Sequence, residues 1–172
     1  KQKIARLALP LLKPFRTLFI DSSSTVSVLA KHFHEQHKTV ISTGIQAVTF
    51  LSGKENVDVF LPGGFLHYNS NSVEGAMTVR QLENYNFDAT VCSCGGVTED
   101  GVTEATMNQC IIKNTVMPHA GTNILLADHT KIGNVCAFKI CRLADFDVIV
   151  TDEAPSAAFA DFCRANDIAL VY

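Results

Sequence analysis

Tryptophan is absent from this chain of 172 residues, tyrosine occurs three times, and only 18% of positions are charged. A chain so poor in charge does not have the composition of a disordered segment. Basic residues are scarce as well: 14 Lys and Arg stand against 17 Asp and Glu, for a net charge of −3. That makes the stretch a poor nucleic-acid binder, because phosphate contacts need clustered Lys and Arg. Lys1, Lys3, Arg6, Lys13 and Arg16 are followed by no further basic residue until Lys31, and they read as one face of a helix. No apolar run approaches the roughly 20 residues of a membrane helix, and no secretory signal pattern is visible. The expected location is therefore the cytoplasm, with no membrane partner. The pattern is already helical at Lys1, which carries the expectation of further chain upstream.

Also missing is any C-x-x-C spacing. The six cysteines (Cys92, Cys94, Cys110, Cys136, Cys141, Cys163) suggest buried free thiols rather than a disulfide framework, given the size of the chain. His32, His34 and His37 follow one another on a predicted helix without the i,i+4 spacing of a metal pair, so they read as a solvated face. Neither a metal nor a cofactor is expected.

What is present is core material. Hydrophobic residues make up 47% of the chain, enough for one domain of ordinary size spanning residues 1–172. Apolar runs alternate with helical stretches. Strands are expected at 17–20, 39–42, 57–61, 89–93, 123–127, 147–150 and 168–171. Helices are expected at 2–13, 26–37, 45–51, 73–84, 105–119 and 155–166. Seven short apolar strands, most of them separated by helices, predict an α/β fold with a mostly parallel sheet flanked by helices on both faces.

Open sheets of this kind bind ligands at the carboxyl ends of their strands. Five strand ends therefore stand out. The first is Asp21, Ser22, Ser23, Ser24 and Thr25, a hydroxyl-rich turn between a strand and a helix. Free backbone N–H groups at the positive end of a helix dipole form an anion site, and rotatable hydroxyls can add donors. Plain helix capping accounts for the same residues. The others are Thr43 and Gly44, Gly63 and Gly64, Gly95 and Gly96, and the turn from Asp128 to Lys131. Glycine allows close approach of backbone to ligand, though ordinary tight turns use it too. Lys131 can supply a point charge to a phosphate, or be a solvated surface lysine.

In order and spacing these pieces resemble the C-terminal sensor domain of the DeoR family of bacterial transcriptional regulators. They are Ile20-Asp21-Ser22-Ser23-Ser24-Thr25 (family pattern LDxGST), Ser42-Thr43-Gly44, Leu61-Pro62-Gly63-Gly64, and Phe87-Asp88-Ala89 followed by Gly95-Gly96-Val97 and Gly101-Val102-Thr103. Leu126-Ala127-Asp128-His129-Thr130-Lys131-Ile132-Gly133 and Val150-Thr151-Asp152 complete the set. Ser23 stands where the family usually has Gly, and Gly44 where it has Asn or Ser. The resemblance implies a fold like the ribose-5-phosphate isomerase and CoA-transferase group, and a phosphorylated sugar or related metabolite as effector. It also implies a homo-oligomer (dimer or tetramer), and DNA contact only through an N-terminal winged helix-turn-helix that this chain does not contain. On that basis Ser22 to Thr25 hold phosphate with Lys131 as counter-charge. Thr43, Gly44, Gly63, Gly64, Gly95 and Gly96 line the sugar, and Asp21 and Asp128 orient hydroxyls or the lysine.

Two rivals remain. One is a sugar-phosphate isomerase on the same fold, which needs a carboxylate base near the carbon acid. The strand end Cys92-Ser93-Cys94-Gly95-Gly96 supplies none, and Glu99, Asp100 and Glu104 read as a solvated loop, so no catalytic residue is expected. The other is a purely structural dimerisation module, which would leave the serine turn and Lys131 without a purpose.

Overall fold

The computed structural model describes residues 1–172. In chain order its elements are α1 (Gln2–Ala8), β1 (Thr17–Ile20), α2 (Ser24–Lys31), β2 (Lys38–Ser42), α3 (Ile45–Leu51), β3 (Val57–Phe60), β4 (Phe65–His67), β5 (Ser72–Glu74), α4 (Ala76–Leu82), β6 (Phe87–Ser93), β7 (Gly96–Thr98), β8 (Gly101–Glu104), α5 (Met107–Val116), β9 (Ala120–Leu126), β10 (Phe138–Cys141), β11 (Val148–Val150), α6 (Ala157–Ala165) and β12 (Ala169–Val171).

Seven strands form one sheet in the order β12-β11-β9-β6-β1-β2-β3, and all its pairings are parallel. They are the seven expected from the sequence. Both faces are covered, so alternate residues of one strand enter different cores. Leu18 and Ile20 pack with Val26, Leu29 and Ala30 of α2 and Ile4, Ala5 and Ala8 of α1. Phe19, between them, packs on the opposite face with Leu82, Ile112 and Val116 of α4 and α5. A third cluster joins Leu125 and Ile149 to Val97, Val102 and Phe159. Burial on both faces explains why these strands read as near-continuous apolar runs.

The chain winds outward from β1 through β2 to β3, then returns to β6 on the other side of β1 and winds the opposite way. The reversal between β1 and β6 is where open α/β sheets leave a crevice at the carboxyl ends of their strands.

The sequence reading requires correction in three places. Residues 73–84 do not form one helix: Val73 and Glu74 belong to β5, which pairs with β4 as a hairpin, and the helix begins at Ala76. The helix after the serine turn ends at Lys31, with His32 as its C-cap, so His34 and His37 lie beyond it. The short strands β7, β8 and β10, which form an antiparallel sheet, were not expected. The first and fifth helices close in 3-10 turns, Leu9–Leu12 and Met117–His119, which use Pro10 and Pro118.

Candidate functional site

Asp21 follows β1 directly and is buried. Its Oδ1 accepts from the Ser23 N–H at 2.9 Å and its Oδ2 from the Ser93 N–H at 2.7 Å. One carboxylate thereby shapes the serine turn and ties the end of β1 to that of β6. Ser23 is the N-cap of α2, its Oγ accepting from the Val26 N–H at 3.2 Å. The capping role expected for this turn is therefore real. It leaves the N–H groups of Ser24 and Thr25 without a partner in the chain, as the first turn of a helix normally does. Gly44 is needed here by close approach: a Cβ at this position would lie 2.6 Å from the Ser22 Cα.

Below the turn opens a cavity of about 490 Å³, and Cys94 is the one hydrophobic residue among the 13 that line it. Ser22, Ser23 and Ser24 form one end, and His67, Asn69, Ser70 and Asn71 of the hairpin loop form one side. Glu104, Gln109 and Lys113 form the floor. The Lys113 side chain is 2% exposed, and its Nζ lies 2.5 Å from Glu104 Oε2 and 3.6 Å from Asp21 Oδ2. Burial alone would lower the lysine's pKa, but the two carboxylates outweigh it and hold the ammonium protonated well above the usual range.

Gln109 extends this floor. Its Oε1 accepts from Ser22 Oγ at 3.0 Å, and its Nε2 donates to Ser72 Oγ and to Glu74 Oε1. Glu74 is buried, yet has no cation against it. It accepts from Ser70 Oγ at 2.7 Å and from Asn108 Nδ2 at 2.9 Å. Burial pushes its pKa up, and the hydrogen bonds from Ser70, Gln109 and Asn108 more than reverse this, leaving an ionised carboxylate.

Of the residues singled out in the sequence, Ser22, Ser23 and Ser24 line the cavity and Asp21 lies beneath them. Thr25 and Thr43 are buried, their hydroxyls without a partner in the chain. Gly95 packs against Cys136 and Glu104, and Gly96 against the Asn134 backbone. Gly63 and Gly64 sit away from the cavity, against Gln81 and Thr78 of α4. Asp128 caps a short 3-10 turn by accepting from the Thr130 N–H. Lys131 Nζ donates to Ser93 Oγ at 2.9 Å, beside Asp21 rather than on the cavity wall. Another ammonium, that of Lys1, reaches the serine turn and donates to Ser24 Oγ at 2.9 Å.

Glu104 corrects the sequence reading: it is not a solvated loop residue but half-buried in the floor. Lys113, Gln109 and Glu74 were missed altogether. The available signal was positional, since Gln109 and Lys113 are four apart on α5 and share one helix face.

A family model described as the DeoR C terminal sensor domain matches residues 1–153. The chain belongs to that family. This DeoR-family domain is 32% identical over 171 residues to the HTH-type transcriptional repressor GlcR of Bacillus subtilis (strain 168), an alignment covering 99% of this chain and 66% of that protein. It is also 32% identical over 154 residues to the HTH-type transcriptional regulator GolR of Listeria innocua, covering 88% and 61%. To the deoxyribose operon repressor of Escherichia coli (strain K12) it is 28% identical over 175 residues, covering 100% and 69%. The chain thus spans about two thirds of the length of these curated relatives. Among solved structures, a D-ribose-5-phosphate isomerase in complex with phospho-erythronic acid superposes with a TM-score of 0.55 at 15% identity, over 76% of this chain and 52% of that one. The ribose 5-phosphate isomerase of Methanocaldococcus jannaschii gives 0.54 at 15%, with the same coverage. These two likenesses establish the fold alone. No helix is long and apolar enough to cross a membrane.

Proposed function

We propose that this DeoR-family domain senses a phosphorylated sugar or related metabolite without converting it, and that occupancy controls a repressor of sugar-metabolism genes. DNA contact would belong to a part of the protein outside residues 1–172, and the working unit would be a homo-oligomer. The observation that carries this reading is the polar cavity between the serine turn and the Lys113 floor, at the reversal point of the sheet. The phosphate sits on the Ser24 and Thr25 N–H groups and the serine hydroxyls. Lys1 and Lys131 supply charge from either side, and the sugar lies over Glu104, Gln109 and Lys113.

The isomerase reading gains something from the carboxylates in the floor. Proton transfer, however, needs a base or acid whose pKa lies near the working pH. Lys113 is held protonated far above it. Glu104 is engaged by Lys113 and the Ala105 N–H, and Asp21 by two backbone N–H groups. These groups are fixed as acceptors and a permanent cation, which suits holding hydroxyls.

The test is a thermal-shift panel of pentose and hexose phosphates, each paired with its unphosphorylated sugar. A ligand at 100 times its Kd adds about 2.7 kcal/mol. A shift that requires the phosphate is expected. Isomerase turnover of that ligand, lost on Glu104→Gln, would sink the sensor reading, and equal shifts by sugar and sugar phosphate would sink the phosphate site.

A further inference from the structure

Resting on the phosphate site just proposed, we infer that the effector's other end carries no acid group, and that Glu104 enforces this. Three carboxylates converge on the floor and the wall behind it: Asp21, Glu74 and Glu104. Lys113 is the ammonium among them, 2.5 Å from Glu104 and 3.6 Å from Asp21, so the carboxylates outnumber it.

The pairing is also unequal. Lys113 is closed from two sides by carboxylates, so its charge is already matched before any ligand arrives. Glu74 accepts from the neutral donors Ser70, Gln109 and Asn108, with His67 nearby, and makes no salt bridge. An incoming carboxylate would therefore meet a surplus of like charge beside the protein interior, where such charges repel more strongly than in bulk water. A hydroxyl or an ammonium meets the reverse, because the Glu104 oxygens, engaged by the Ala105 N–H and the Lys113 ammonium, each keep a lone pair to spare.

The serine end differs in kind. Its positive character comes from helix N–H groups and from Lys1 and Lys131 beside it, so one phosphate belongs there and a second anionic group finds no counterpart at the floor. A bisphosphate is excluded on the same ground as an acid. Glu104 is the residue that tips the balance. It lines the cavity itself, whereas Asp21 and Glu74 lie behind the wall.

Three probes of closely similar size test this by titration calorimetry on the 172-residue chain: glucosamine 6-phosphate, glucose 6-phosphate and 6-phosphogluconate. The expected order of affinity is amine, then neutral, then acid, with the acid at least tenfold weaker than the neutral sugar. Ribose 5-phosphate and 5-phosphoribonate repeat the comparison at pentose length. Glu104→Gln is expected to shrink the neutral-to-acid ratio at least fivefold while leaving the requirement for phosphate intact. The amide of 6-phosphogluconate, which needs no variant, is expected to bind wild type better than the acid does. Acid binding as tight as neutral binding would overturn the inference and leave the phosphate site standing. No binding by any phosphate, where the unphosphorylated sugars bind equally or not at all, would overturn both. Discrimination that persists unchanged in Glu104→Gln would remove Glu104 as its source.

Discussion

Two lysines are buried in this molecule, at opposite ends of the same sheet. Lys38 opens β2 at the amino end of the strands, and its Nζ donates to the carbonyls of Leu12, Lys13 and Phe15 at 3.3, 2.8 and 2.5 Å. Nearby, Asp88 accepts from the backbone N–H groups of Arg16 and Thr17, which hold its carboxyl below the usual range. There the charges are spent on main chain that cannot rearrange, and they fasten the segment before β1 to the sheet. Lys113 at the carboxyl end is matched by side chains across an open cavity. The contrast lies in the partners: the charge at the amino end is held by backbone, whereas that at the carboxyl end is held by side chains facing a cavity.

The sharpest way to break this comparison is Lys113→Met. It leaves Asp21 and Glu104 facing each other without a cation, which should cost about 3–5 kcal/mol in urea unfolding and abolish binding of the effector. Adding Glu104→Gln should recover part of that stability but none of the binding. Lys38→Met is expected to lower stability by about 2–3 kcal/mol, because the carbonyls lose a charged donor. Its ligand affinity should match wild type. A loss of affinity there equal to that of Lys113→Met would erase the distinction between the two ends.

Gly44→Ala comes next. The new Cβ meets the Ser22 backbone, and overpacking of this kind costs about 1–3 kcal/mol. The serine turn must shift, so phosphate-dependent binding should fall more than stability does.

Titration separates two charges at the carboxyl end by sign. Glu74 has a folded pKa below its ordinary 4.5, so its stabilisation is present above that value and fades as pH falls through the folded one. Glu74→Gln should flatten the acid limb of the stability profile. Lys113 has a raised pKa, so its stabilisation is complete below the ordinary 10.5 and is lost only as pH climbs through the higher folded value. Alkaline unfolding of wild type should therefore set in late. The smallest effect belongs to Lys131→Ala. Acting through Ser93, it should weaken a sugar phosphate several-fold and the free sugar hardly at all; equal weakening would remove it from the phosphate role.

The sheet, the serine turn and the floor differ in how much of them could be read from the sequence. All seven strands of the main sheet were legible, because burial on both faces makes each one a plain apolar run. The serine turn was legible because capping and anion binding use the same residues. The floor was not. Glu104 ends β8, whose four residues Gly101-Val102-Thr103-Glu104 form no continuous apolar run. Gln109 and Lys113 lie on a helix that reads as ordinary. Their importance arises only when β5 is brought against α5 and Glu74 meets Gln109. Gly63 and Gly64, a glycine pair at a strand end, invited a ligand role, and both pack against α4. Lys131 was legible as a strand-end cation, though not that Ser93 would stand between it and the cavity.

The serine turn has one further consequence. Asp21 fixes Ser23, Ser23 fixes Val26, and Gly44 presses on Ser22, all through contacts within the chain. Nothing there has to fold when a phosphate arrives. Stopped-flow traces of binding should accordingly be single exponentials whose rates rise linearly with ligand concentration, with no plateau from a slow rearrangement of the turn.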